Sequence, residues 1–196
     1  MTAALRLLSV DARSVGRDRG ELARAIAADG PDVVCVHGGP HLLRWRSISA
    51  GLARRAGLVV VTGGRTAGAN LLMSTLGVDV VAVRDVRFAG GSALALPGAA
   101  LAALRLRGLD FVLASGTLAG SSAERLAQTR ELVTAIDTLV PGDPPTIISV
   151  QGADGTARHV LAANRVGVTG RLLVDRRIAV GDATERDSLI SVELSI

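Results

Sequence analysis

"DVVCVHGGP", residues 32–40, is the stretch from which the fold is read. Four apolar residues in a row after an aspartate describe a strand buried on both faces, and the glycines that follow end it in a turn. In α/β enzymes the carboxyl end of such a strand is where reactive side chains gather. Here that end carries His37-Gly38-Gly39 and no acid. Working outward, "LRLLSV" (5–10) reads as an earlier strand, and "RGELARAIAADG" (19–30) as a helix with Leu22, Ala25 and Ile26 on one side and Asp29-Gly30 as its stop. Strand, helix and strand make a βαβ-like opening. Pro40 suits the first turn of a second helix through "HLLRWRSISAGLARRAG" (41–57), which Gly57 ends.

From residue 58 the pattern changes. "LVVVTGG", "ANLLMST", "VDVVAVRDVRF", "AALAALRLRG" and "DFVLASG" are strand-like runs separated by glycine-bearing turns, so hairpins are expected and the sheet is not purely parallel. "SSAERLAQTRELVTAIDTLVPG" (121–142) is the clearest helix. Ser121 and Glu124 stand at capping-box spacing, and Leu126, Leu132, Val133, Ile136 and Leu139 are expected on one side. "PTIISV", "RLLVD" and "LISVELSI" read as three late strands. About ten strands with few helices predict two mixed β-sheets packed face to face with helices on the outside, a four-layer α/β sandwich, in a single domain over 1–196.

Composition narrows the function classes. The 196 residues are 48% hydrophobic, yet the apolar side chains are aliphatic, with two Phe, one Trp and no Tyr. Base stacking on aromatic side chains therefore has almost no material. All 22 basic residues are arginine, which lifts the sequence pI to 11.0 although the net charge is only +4. These arginines are scattered, as on a solvated surface. Cys35, the single cysteine, has no internal disulfide partner and reads as a buried structural thiol. The apolar start is too short for a signal peptide and Asp11 cuts it; no stretch is long enough for a membrane span. A cytoplasmic protein away from membranes is expected.

Taken in order, "LRLLSV", "PDVVCV", "GANLLMS" (68–74), "PGAALAAL" (97–104), "ERLAQTREL" (124–132) and "RLLVDRRIAV" (171–180) resemble the framework of the endonuclease/exonuclease/phosphatase superfamily over nearly the whole chain. The resemblance implies a deoxyribonuclease-I-like fold, and phosphoester cleavage with a divalent cation, usually Mg²⁺. It also implies particular side chains, most of which are replaced. The asparagine that closes the first strand is matched by Asp11. The Gln-Glu at the end of the second strand falls on His37-Gly38, so the metal-binding glutamate becomes glycine. The Thr-His-Leu element appears as Gly116-Thr117-Leu118, and the Gly-Asp-x-Asn element aligns with Ser149-Val150-Gln151-Gly152. The late Asp-containing elements fall on Thr169-Gly170-Arg171 and on Arg186-Asp187-Ser188.

The resemblance thus implies a degenerate member with no intact catalytic set. Its vestigial cleft positions are Asp11, Gly38, Thr117, Val150, Gly152, Gly170, Asp187 and Ser188, and its residual acids Asp11, Asp154 and Asp187. No cofactor is expected; Mg²⁺ or Mn²⁺ would enter only with residual hydrolysis through those three acids. The partner stays unnamed: a protein, or an arginine-bound nucleic acid or phosphorylated ligand. His37 and His41 stand four apart, but Gly38, Gly39 and Pro40 break the helix that would pair them on a metal, so a helix-start turn is expected. His159 reads as a surface or loop residue. The glycine-rich 58–70 lacks dinucleotide spacing and reads as a hairpin turn, and no G-x-S-x-G elbow occurs. Ser115 lies at a strand end, and Ser121 and Ser122 at a helix cap.

Overall fold

In the computed structural model the described residues are 4–12, 19–39, 44–90, 96–152, 158–163, 167–168, 173–177 and 188–195. The chain opens with strand β1 (Ala4–Asp11), helix α1 (Arg19–Asp29), β2 (Val33–His37) and α2 (Trp45–Arg55). It continues through β3 (Val59–Gly64), β4 (Asn70–Ser74), β5 (Val78–Arg87), β6 (Gly98–Leu106) and β7 (Leu109–Leu118) to α3 (Ser122–Leu139). Five strands close it: β8 (Thr146–Gly152), β9 (Arg158–Ala163), β10 (Gly167–Val168), β11 (Leu173–Arg177) and β12 (Ser188–Ser195). The five strand-like runs of 58–118 all form strands. The late strands β9 and β10 were not foreseen.

Among the described residues one sheet runs β10-β12-β1-β2-β4-β3, with β11 also on β12, and the other runs β5-β6-β7-β8-β9. Both are mixed: β1 and β2 are parallel, as are β7 and β8, while the remaining pairs are antiparallel. The last strand returns to the first sheet and pairs along β1 from Ala4↔Ser195 to Val10↔Leu189.

Strand alternation sorts the side chains into layers. Leu5, Leu7, Val33, Leu72, Leu104, Phe111, Leu113 and Ile147 fill the space between the sheets. Leu8, Val10, Val34, Val36, Leu71 and Met73 point the other way, onto Leu22, Ile26 and Leu52 of α1 and α2. On the far side Ala99, Leu101, Val112 and Ala114 meet Leu132, Ala135 and Ile136 of α3. Helix, sheet, sheet, helix is the expected layering, and each fully buried Leu, Ile or Phe contributes about 1.5–3 kcal/mol.

Local chemistry sets the helix ends. Ser121 Oγ accepts from Glu124 N at 3.3 Å and Glu124 Oε2 accepts from Ser121 N at 2.7 Å, closing the expected capping box. The α1 end is met by a cation, Arg6, which donates to Asp29 O at 2.9 Å. Two expectations are corrected. Helix α2 begins at Trp45, later than the Pro40 reading, because Arg44 lies in the left-handed region at φ 74°; Pro40 itself lies outside the described residues. The buried stripe of α3 runs through Gln128, Leu132, Ala135 and Ile136, leaving Leu126 and Val133 exposed. Gln128 belongs in that stripe because its amide accepts from Ala119 N and donates to Ala89 O and Ala119 O. Glycine is required at the end of β3, where a Cβ on Gly64 would lie 2.4 Å from the Trp45 ring. No described helix is long and apolar enough to cross a membrane.

Candidate functional site

Toward one end of the space between the sheets the apolar filling gives way to polar side chains. The change follows a fixed step of two residues. On β1 the inward series is Leu5, Leu7, Ser9, Asp11; on β2 it is Val33, Cys35, His37; on β7, Phe111, Leu113, Ser115, Thr117; on β8, Ile147, Ser149, Gln151. These four strands form the two parallel pairs, so their carboxyl ends come together. Asn70, at the start of antiparallel β4, joins them. Every one of these polar side chains is buried.

The hydrogen bonds have a determined direction. Asn70 Nδ2 donates to the carbonyls of Ala67 at 2.7 Å, Gly98 at 3.0 Å and Gly68 at 3.3 Å, which turns Oδ1 inward. That oxygen accepts from Thr117 Oγ1 at 2.9 Å and faces His37 Nδ1 at 3.2 Å. Since Asn70 Oδ1 can only accept, the imidazole proton sits on Nδ1. In the neutral imidazole His37 Nε2 is then the acceptor for Ser149 Oγ at 2.9 Å, and Ser149, its own proton so used, accepts from Ser9 Oγ at 2.9 Å. Beside this chain, Gln151 Nε2 donates to Asp11 Oδ2 at 2.5 Å. Cys35 lies against Ser115 and Ser149; burial pushes its thiol well above the ordinary range, and those hydroxyls offset only part of the shift.

Ser149, His37 and Asn70 have the spacing of a nucleophile, a base and an orienting group. However, Ser149 and His37 are each 0% exposed and the serine hydroxyl is flanked by Ser9 rather than by an open surface. The arrangement fixes tautomers and joins the two sheets. A hard divalent cation needs several oxygen ligands, carboxylates foremost. Among the described residues no three His, Cys, Asp or Glu side chains converge on one point. Asp11 is the carboxylate described at the strand ends, and Gln151 places an N–H donor against it. The described residues do not fit such an ion.

The residues anticipated from sequence are distributed as follows. Asp11 and Thr117 lie in the polar cluster. Gly38 follows β2 at φ 61°, a conformation that disfavours the side chain expected there. Val150 faces away, packed on the α3 side, and it is Ser149 and Gln151 that turn inward. Gly152 ends β8 opposite Leu118, and Ser188 begins β12 opposite Arg177. His159 is a strand residue opposite Val150, not a loop residue. Asp154, Gly170, Asp187 and His41 lie outside the described residues. The sequence marks Ser9 and Asn70 only as parts of strand runs, Ser149 and Gln151 only as members of an aligned element, and His37 only as a turn residue at the family's glutamine position. The available signal was the i, i+2 recurrence of polar residues at the ends of apolar runs.

No protein-family model matches the sequence, and no curated protein matches it by sequence. Solved structures do match by shape. An endonuclease/exonuclease/phosphatase from Bacteroides vulgatus superposes with a TM-score of 0.78 at 9% identity, covering 98% of each chain. A humanised D. rerio TDP2 gives 0.71 at 13% identity, over 97% of this chain and 98% of that one. The human Nocturnin catalytic domain, solved with bound sulfate, gives 0.68 at 13% identity, over 99% and 96%. Together with the paired mixed sheets and outer helices, these likenesses establish that the chain has the fold of endonuclease/exonuclease/phosphatase proteins.

Proposed function

We propose that this chain, as one domain over 1–196, is a non-catalytic protein on a phosphoesterase fold that acts by binding. The observation that carries the reading is the inward-directed network at the strand ends. His37, Asn70, Thr117, Ser149 and Ser9 hydrogen-bond one another, and Asp11 receives Gln151, where phosphoester chemistry would need carboxylate oxygens for a cation and an acid to orient water. The positions aligned with the family's glutamate and histidine hold Gly38 and Thr117. The structural relatives include a mannosyl-6-phosphatase and a TDP2 bound to a single-strand DNA product, so a phosphodiester and a phosphomonoester are the substrates to try. The reading predicts no turnover of either with Mg²⁺ or Mn²⁺. Turnover abolished by Asp11→Ala would replace it with a reduced acidic site built from Asp11, Asp154 and Asp187.

A further inference from the structure

Along one side of the molecule the first sheet stops short of the second. Strand β3 ends it, pairing with β4 on one side and with no described strand on the other. Across from it β5 turns Val78, Val80, Val83 and Asp85 toward the first sheet, because they stand opposite Leu106, Leu104, Ala102 and Ala100, which fill the space between the sheets. Val78 is buried there, yet Val80 and Val83 are each 47% exposed, and no described strand covers them. A strand laid along the free edge of β3, about 4.8 Å from it, would lie over both valines. Neither proline nor lysine blocks that edge, and the register shift at Val61 turns its side chain into the core.

The slot has a basic end. Arg65 follows β3 directly, Arg87 Nη1 donates to Arg65 O at 3.5 Å, and Arg46 Cζ lies 5.2 Å from the centroid of the Trp45 ring, which packs on Gly64. All three arginines are exposed, and none forms an ion pair among the described residues. Asp85, beside them, already accepts from Thr62 Oγ1 at 2.9 Å and Thr66 Oγ1 at 2.6 Å. The other end is apolar, with exposed Val59 opposite Ser74 and exposed Leu76 two residues after that serine. A valine floor and unpaired backbone groups fit an extended polypeptide rather than a nucleic acid, and the guanidinium groups fit carboxylates on it. A second copy meeting the slot with its own β3 or β5 would bring no free carboxylate. Strand β3 has no acid, Asp79 stands opposite Arg105 on the other face of β5, and Asp85 is held by the threonines. We infer that the edge of β3 takes an extended segment of another protein as an added strand, apolar over Val80 and Val83 and acidic where it meets Arg46, Arg65 and Arg87. None of these side chains belongs to the strand-end network, so strand addition is independent of whether that network hydrolyses phosphoesters.

Fluorescence anisotropy on the full chain tests this with a labelled peptide of about eight residues, alternating valine and threonine behind two amino-terminal glutamates for antiparallel pairing with β3. The peptide should bind in the micromolar range and weaken with salt, and a version with lysines in place of the glutamates should bind about tenfold more weakly. Arg65→Glu combined with Arg87→Glu should invert that preference. Val83→Gln should weaken binding about tenfold at an unchanged melting temperature, since that side chain is already half exposed. N-methylation of the peptide's pairing amides should abolish binding. No binding, equal binding of the two peptides, or binding indifferent to Val83→Gln overturns the inference. A dimeric wild type that Val83→Gln dissociates would give the slot to a second copy, and duplex DNA bound in place of the peptide and lost in Arg65→Glu would give it to nucleic acid; either result also overturns it.

Discussion

The two halves of the space between the sheets are lined by the same strands, on the same faces, yet are held together differently. In one half Leu7, Val33, Leu104, Phe111 and Ile147 exclude water by volume. In the other, Ser9, His37, Asn70, Thr117 and Ser149 hold position through hydrogen bonds of fixed direction. The change occurs within two to four residues on each strand. In an α/β fold a polar carboxyl end is where ligands and chemistry are placed. Among the described residues the polar side chains at that end bond mostly to one another, which teaches that one pair of sheets can be joined by volume at one end and by directed hydrogen bonds at the other.

The sharpest way to break this contrast is to change volume and polarity separately and follow urea unfolding. Phe111→Ala should cost about 4 kcal/mol, while Phe111→Leu, which keeps most of the volume, should cost about 1 kcal/mol. Asn70→Leu also keeps the volume, yet should cost about 3 kcal/mol because it strands the His37 proton, the Thr117 hydroxyl and three carbonyls. If Asn70→Leu proves as mild as Phe111→Leu, the polar half is held by packing and the distinction fails. Ser149→Ala should cost about 2 kcal/mol by leaving His37 Nε2 without its donor. Nitrogen chemical shifts of wild-type His37 should report a proton on Nδ1 and none on Nε2.

Alkaline pH isolates a smaller effect where the halves meet. The chain has no lysine and no tyrosine, so Cys35 is the side chain that titrates between the histidine range and the arginine range. Its folded pKa is raised by burial, so its contribution is fully present below the unfolded thiol value, about 8.5, and is lost as pH rises beyond it. Stability should fall by about 1.4 kcal/mol per pH unit there, and Cys35→Ala should flatten that slope. Smallest of all, Leu126→Ala on the exposed side of α3 should change stability by less than about 0.5 kcal/mol.

Much of the fold is legible in the sequence because it is locally encoded. Alternation and glycine turns mark β3 to β7, and Ser121 with Glu124 marks the start of α3. The α2 start is not legible, since it depends on a left-handed Arg44 that composition does not announce. The α3 face is misread because Gln128, a polar residue, occupies the buried stripe. The polar network is the least legible part. Its members lie on β1, β2, β4, β7 and β8, up to 140 positions apart in the chain, and only the sheet topology makes Ser9 a neighbour of Ser149. Reading Val150 as a cleft position errs by a single residue, and in a strand one residue reverses the face.

The central claim is the proposal that the strand ends hold no catalytic cation. The most direct test is thermal unfolding with and without millimolar Mg²⁺ or Mn²⁺, run beside hydrolysis of a phosphodiester. The account predicts an unchanged melting temperature and no turnover; a metal-dependent rise, with turnover lost in Asp11→Ala, would contradict it.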